Sequence, residues 1–238
     1  EKTYAALTGA TAPVADWQAK IREQYDRGLS DEFIEPMPIG APAKPIKEND
    51  ALIFFNFRED SIRQLAAAFI EDDFNKFPRQ KLENIFVVTM TNYADKFKVP
   101  VAFPNDIVLN PLGKIISENN LIQLRIAETE KYAHVTYFMN GYREKPFANE
   151  YRILIPSKNV ARQDDAPEMM AEEVSARLRE SLLEKEFDFI AVNFANPDVI
   201  AHTGNYDAAI NAINIIDQEM GKIMKTCLDN DAILMITA

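Results

Sequence analysis

The chain has 238 residues, 47% of them hydrophobic, which suits one large domain or two small ones with a real core. It sets 26 basic against 37 acidic residues, a net charge of −11 with no basic stripe, and this argues against nucleic acid as a partner. No run reaches the ~18 uncharged apolar residues of a membrane-spanning helix, and the single cysteine, Cys227, excludes an internal disulfide and a Cys-based zinc site, in keeping with a reducing cytosol.

Taken in chain order, residues 14–27 (VADWQAKIREQYDR) predict an amphipathic helix stopped by Gly28. Residues 36–50 hold four prolines and read as loop. The apolar run 51–57 (ALIFFNF) has strand length, 60–70 (DSIRQLAAAFI) has helical spacing, and 85–91 (IFVVTMT) is a second strand. This βαβ rhythm implies a parallel sheet covered by helices. A hinge is expected near 109–111, dividing the chain into domains at 1–109 and 110–238. Beyond it come a helix (112–120), a strand (123–127), a helix starting near Lys131 and a strand (152–155). In 169–183 Met170, Val174, Leu178 and Leu182 fall on one helical face. Then follow a strand (189–194), a long helix (206–228) with Ile213, Ile216, Met220 and Ile223 on one face, and a last strand (232–238). In open α/β sheets, ligands sit beyond the carboxyl ends of the strands. A chain that stops on such a strand is expected to be an internal segment of a longer protein.

Three segments could carry chemistry. In NPDVIAH, after the strand FIAVNF, Asp198 and His202 are four residues apart. A helical turn starting at Pro197 would project both from one side, an arrangement suited to a divalent transition metal; Asp198 could equally be a simple cap. In AETEKYAHVT a strand ends in two glutamates and Lys131. That lysine could neutralise a phosphate, or pair with Glu128 or Glu130, and His134 could be a packing residue. In NFREDSIR, Arg58 and Arg63 flank a helix start and could clamp a phosphate or carboxylate, or pair with Glu59 and Asp60. No Gly-rich phosphate loop, nucleophile elbow or aromatic-basic surface is present.

Together these segments closely resemble the cofactor-independent phosphoglycerate mutases. LRIAETEKYAHVTYFMNG, NFANPDVIAHTGN and ALIFFNFRED each resemble a motif of that family, in the same order and spacing, and the resemblance runs nearly end to end. It implies an α/β, alkaline-phosphatase-like parallel sheet with helices on both faces, plus an inserted α/β substrate-binding domain. It implies interconversion of 2- and 3-phosphoglycerate in glycolysis and gluconeogenesis, through a phosphoserine and two divalent metals, usually manganese, with no bisphosphoglycerate. By position, Asp198 and His202 would be metal ligands, Lys131 would neutralise the transferring phosphoryl group, and Arg58 would bind substrate. The family's second arginine falls at Ser61, so Arg63 would have to replace it. The family's nucleophilic serine and its DHGN segment match no position here, so the isolated chain is expected to be inactive. The resemblance also implies a cytoplasmic monomer with no membrane or nucleic-acid partner. The competing readings are a catalytically silent binding module and another phosphomutase or phosphatase of the same superfamily.

Overall fold

A computed structural model describes residues 1–40, 44–104, 106 and 108–237. The chain forms two compact units, Glu1–Asp106 and Ile107–Ala238.

In the first unit, helix α1 (Lys2–Leu7) precedes α2 (Trp17–Asp26). Asp16 caps α2 by accepting from the Ala19 amide, and Gly28 leaves it at φ +80°, a backbone that favours glycine. Strand β1 (Ala51–Phe54), helix α3 (Arg63–Ile70) and strand β2 (Phe86–Thr89) form the expected βαβ unit, with β1 and β2 parallel from Ala51↔Phe86 to Phe54↔Thr89. Side chains alternate across the strands. Phe54 and Val87 face a core with Tyr4, Phe69, Tyr93 and Phe97, whereas Ile53, Phe55 and Phe86 are exposed on the other side.

The first strand ends at Phe54, three residues short of the expected end, because side chains take the next carbonyls. Tyr93 Oη donates to Asn56 O at 2.5 Å, and Thr91 Oγ1 donates to Phe57 O at 2.7 Å. Residues 36–50 are irregular as expected where described; 41–43 lie outside the described residues.

The second unit begins with helix α4 (Leu112–Glu118) and centres on strand β3 (Gln123–Glu128). Strand β3 lies between β4 (Glu150–Ile155) and β5 (Phe189–Asn193), all parallel. Every residue of β3 is buried, as a central parallel strand demands. Its Leu124 and Ile126 meet Val174 and Leu178 of α5 (Ala171–Glu184), with Ile223 and Cys227 of the long helix α7 (Tyr206–Asp229) in the same core. Arg125, on the alternate side of β3, is fully buried and reaches Met139 and Gln123. The predicted face Met170, Val174, Leu178 and Leu182 does pack together. The helix starts only at Ala171, because Met169 sits at φ +43° and breaks the helical backbone. In α7, Met220 and Ile223 reach the core but Ile213 is exposed; the buried positions Ala208, Ala212, Glu219, Ile223 and Cys227 define a face it does not share.

The expected strand 232–238 does not form over 232–237; residue 238 lies outside the described residues. Ala232 and Leu234 pack on the core while Ile233 and Met235 are 94% and 88% exposed. The side chains alternate as in a strand, but no ladder partner satisfies the backbone among the described residues.

Candidate active site

Strands β3 and β5 are register partners up to Ala127↔Asn193, so their carboxyl ends open side by side. From β3 the chain turns through a 3₁₀ turn, Thr129–Lys131, into a π-type helical segment, His134–Phe138. From β5 it enters helix α6 (Asn196–His202), with Pro197 in the first turn, where its fixed φ and missing N–H cost nothing.

These two exits bring Lys131, Asp198 and His202 together. Lys131 Nζ donates to Asp198 Oδ2, and Asp198 Oδ1 faces His202 Nε2 at 3.4 Å. The four-residue spacing on α6 thus does put both side chains on one face. The side chain of Lys131 is 14% exposed, against 53% for Asp198 and 67% for His202. The lysine lies within the wall while the donors look outward. Pairing with Glu128 or Glu130, the alternatives for Lys131, is not what the geometry shows. His134 packs against the Phe138 ring at 5.4 Å.

Ser157, which sequence reading did not single out, braces this turn together with Glu128, weighed above only as a partner for Lys131. Glu128 is fully buried, and its Oε2 accepts from Ser157 Oγ at 2.9 Å. Ser157 N donates to Thr129 Oγ1 at 3.1 Å, and Glu130 N donates to Ser157 Oγ at 3.4 Å. Burial pushes the Glu128 carboxyl above the usual carboxylate range, and the Ser157 hydroxyl partly offsets this. A glutamate closing the run 124–127 was the available signal.

Asp198 and His202 have the chemistry of a borderline divalent ion's ligands, a carboxylate oxygen and an imidazole nitrogen. They fit such an ion as two of its ligands. Among the described residues, no group of three or more His, Cys, Asp and Glu side chains converges to complete the set.

Arg58 and Arg63 belong to the first unit. Arg58 is exposed and pairs with Asp60 at 3.2 Å. Arg63 Nε donates to Tyr93 O at 2.7 Å, and its Nη2 lies 3.8 Å from Glu59. Both therefore make the ion pairs weighed as the alternative to an anion clamp. Ser61, at the position of the family's second arginine, donates its amide to Asp60 Oδ1 at 2.8 Å.

Residues 59–238 match the family model described as Metalloenzyme superfamily, and residues 1–95 match BPG-independent PGAM N-terminus. The chain is 44% identical over 241 residues to the 2,3-bisphosphoglycerate-independent phosphoglycerate mutase 1 of Methanosarcina barkeri, covering 99% of this chain and 47% of that protein. It is also 44% identical to the 2,3-bisphosphoglycerate-independent phosphoglycerate mutase of Antithamnion sp., over 100% of this chain and 47% of that one. The chain thus spans about half the length of the curated relatives it matches. Among solved structures, a phosphoglycerate mutase of Leishmania mexicana, studied at low cobalt concentration, superposes with a TM-score of 0.79 at 24% identity, over 97% of this chain and 44% of that one. That likeness supports the fold, and with the parallel sheets and flanking helices it fits the alkaline-phosphatase-like α/β architecture expected. The chain belongs to the Metalloenzyme superfamily, and over its whole length it is similar to the 2,3-bisphosphoglycerate-independent phosphoglycerate mutases.

Proposed function

We propose that this chain forms part of a phosphoglycerate mutase that interconverts 2- and 3-phosphoglycerate without bisphosphoglycerate, in cytoplasmic glycolysis and gluconeogenesis, and acts as a monomer. The observation that carries the reading is the convergence of Lys131, Asp198 and His202 at the carboxyl ends of two adjacent parallel strands. Open α/β sheets place their ligands at that end.

In this reading 110–238 is part of the metal-binding, phosphatase-like domain and 1–109 most of the substrate-binding one. Asp198 and His202 hold one of two divalent ions, of which manganese is the proposed identity. Such an ion supplies Lewis acidity toward phosphoryl oxygens and orients them. Lys131 brings a fixed positive charge beside the same carboxylate, where it can neutralise a transferring phosphoryl group. Its side chain is largely buried, so the charge is held by the wall rather than free in solvent. Arg58, and Arg63 in place of the arginine that Ser61 replaces, offer guanidinium groups to the phosphoglycerate. For Arg63 that means giving up the weak 3.8 Å contact with Glu59 while Nε keeps its bond to Tyr93 O. Transfer through a phosphoserine requires a nucleophilic serine, and none of the motif positions in this chain supplies it.

The experiment is to assay the full-length protein bearing this segment for conversion of 3-phosphoglycerate, with manganese present and bisphosphoglycerate absent. Conversion abolished by EDTA and restored by Mn²⁺ is the expected result. Conversion that requires bisphosphoglycerate, or that persists unchanged in EDTA, would refute the reading.

A further inference from the structure

Helix α6 has only seven residues. Helices shorter than ~12–15 residues are marginal by themselves in water. Something outside α6 must therefore fix the direction in which Asp198 and His202 point.

One loop, residues 162–168, grips both ends of it. At the start of α6, Asn196 is fully buried, and its Nδ2 donates to the carbonyls of Pro167 and Glu168, each at 2.8 Å. Three residues past its end, Asn205 Nδ2 donates to Asp164 Oδ2 at 3.0 Å. The other face of the same amide caps α7, Asn205 Oδ1 accepting from the Ala208 amide at 3.1 Å. Asp164 is itself held by a two-point bond from Arg162, Nε to Oδ1 at 3.1 Å and Nη2 to Oδ2 at 2.8 Å. Its side chain is 2% exposed. Between these anchors, Ile200 is fully buried against Ala195 and Met169, the residue just beyond the loop.

We infer that the 162–168 loop is the frame that sets the bearing of Asp198 and His202, with Asp164 as its positioning residue. The contacts at the two ends are independent: backbone carbonyls receive Asn196, and a charge-held carboxylate receives Asn205. Loss of Asp164 would leave the amide of Asn205 and the guanidinium of Arg162 without this shared acceptor, freeing the end of α6 next to His202. This inference rests on the reading of Asp198 and His202 as metal ligands. Orienting contacts of this kind typically change metal affinity by about 10–100-fold.

The sequence holds only two histidines, His134 and His202, which makes proton NMR of their rings a clean probe. The experiment titrates Mn²⁺ into the chain and into Asp164→Ala and Asn205→Ser variants, following paramagnetic broadening of each ring, with Tm measured alongside. Serine is itself a good helix cap, so Asn205→Ser keeps α7 capped while removing the donor to Asp164. The expected result is a shifted His202 ring signal in both variants, and a Mn²⁺ midpoint at His202 raised about tenfold in Asp164→Ala. His134 should not move. If Asp164→Ala does not fold, Asn205→Ser decides alone. Should a folded variant keep both the ring shifts and the midpoint of the unchanged chain, the inference is overturned. If Mn²⁺ leaves His202 sharp in the unchanged chain, two ligands are too few to hold the ion there, and the ring shifts alone decide the frame.

Discussion

Lys131 Nζ donates to Asp198 Oδ2 across 67 residues of sequence, while the other oxygen of that carboxylate faces His202 at 3.4 Å. The Asp198 side chain is half exposed, so water screens the pair. Ion pairs at such positions contribute about 0–1 kcal/mol. The lysine's charge is therefore of little use to stability, and its placement argues for chemistry. Lys131→Ala is expected to lower Tm by less than about 4 °C. In the full-length enzyme it should reduce kcat about 10²–10³-fold, the usual cost of removing one group that stabilises developing charge. Unchanged kcat in a folded variant would remove Lys131 from the site.

The buried Glu128 gives a pH signature. Its folded-state pKa is raised, chiefly by burial, above the ordinary 4.5. A carboxyl with a raised folded pKa stabilises the fold below its unfolded value, and that contribution is lost as pH rises through the folded value. Glu128→Gln keeps an oxygen for the Ser157 hydroxyl and cannot ionise. The variant should therefore gain in Tm relative to the unchanged chain as pH is taken from 4 to 8. A relative loss over that range would mean the carboxylate form is the favoured one.

Asp164 has the opposite sign. Arg162 and Asn205 hold its carboxyl well below the ordinary 3.8, at about 2. Its contribution is thus present above pH 3.8 and lost as pH falls through about 2. A shift of this size corresponds to roughly 2 kcal/mol for a side chain so well buried. Asp164→Asn should be less stable than the unchanged chain at pH 5, and the gap should close toward pH 2. A gap that stays constant with pH would show that the charge contributes nothing.

Much of the fold is legible in the sequence because burial leaves a period. The four-residue face of α5 follows from one side of that helix being dry. The runs of β1 and β2 stay apolar even at the exposed Ile53 and Phe86, and so mark the strands by their length. The ends are less legible, because a strand is defined by its partner. Residues 55–57 and 232–237 have strand-like side chains, but no strand pairs with them among the described residues. Asp198 and His202 could be placed on one helical face from their spacing alone. Their meeting with Lys131 depends on the β3–β5 register, which no local pattern encodes. The 162–168 loop left no signal, since its hydrogen bonds run from polar residues in an aperiodic stretch to asparagines about thirty to forty positions away.

Two glycines, both in helices, should respond oppositely to alanine. Gly113 lies in α4 under the buried side of β3, and a Cβ there would meet Asn140 Oδ1 at 2.6 Å, Phe147 Cδ2 at 3.1 Å and Arg125 Nη2 at 3.2 Å. Arg125 is fully buried, with its guanidinium over the Phe189 ring at 5.2 Å and bonded to Gln123, so it cannot swing aside without losing those contacts. Gln123 Nε2 in turn donates to Gly113 O at 2.8 Å, which holds the helix at this distance. Gly113→Ala should therefore cost about 1–3 kcal/mol, as overpacking does. Gly221, in the exposed middle of α7, has nothing within 4 Å of an added Cβ. There alanine only narrows the unfolded ensemble, and Gly221→Ala should stabilise by about 0.5–1 kcal/mol. Chemical denaturation of the two variants checks both signs. A neutral Gly113→Ala would mean that α4 can lift away from Arg125, and the close approach of that helix to the sheet would then not be a constraint on the fold.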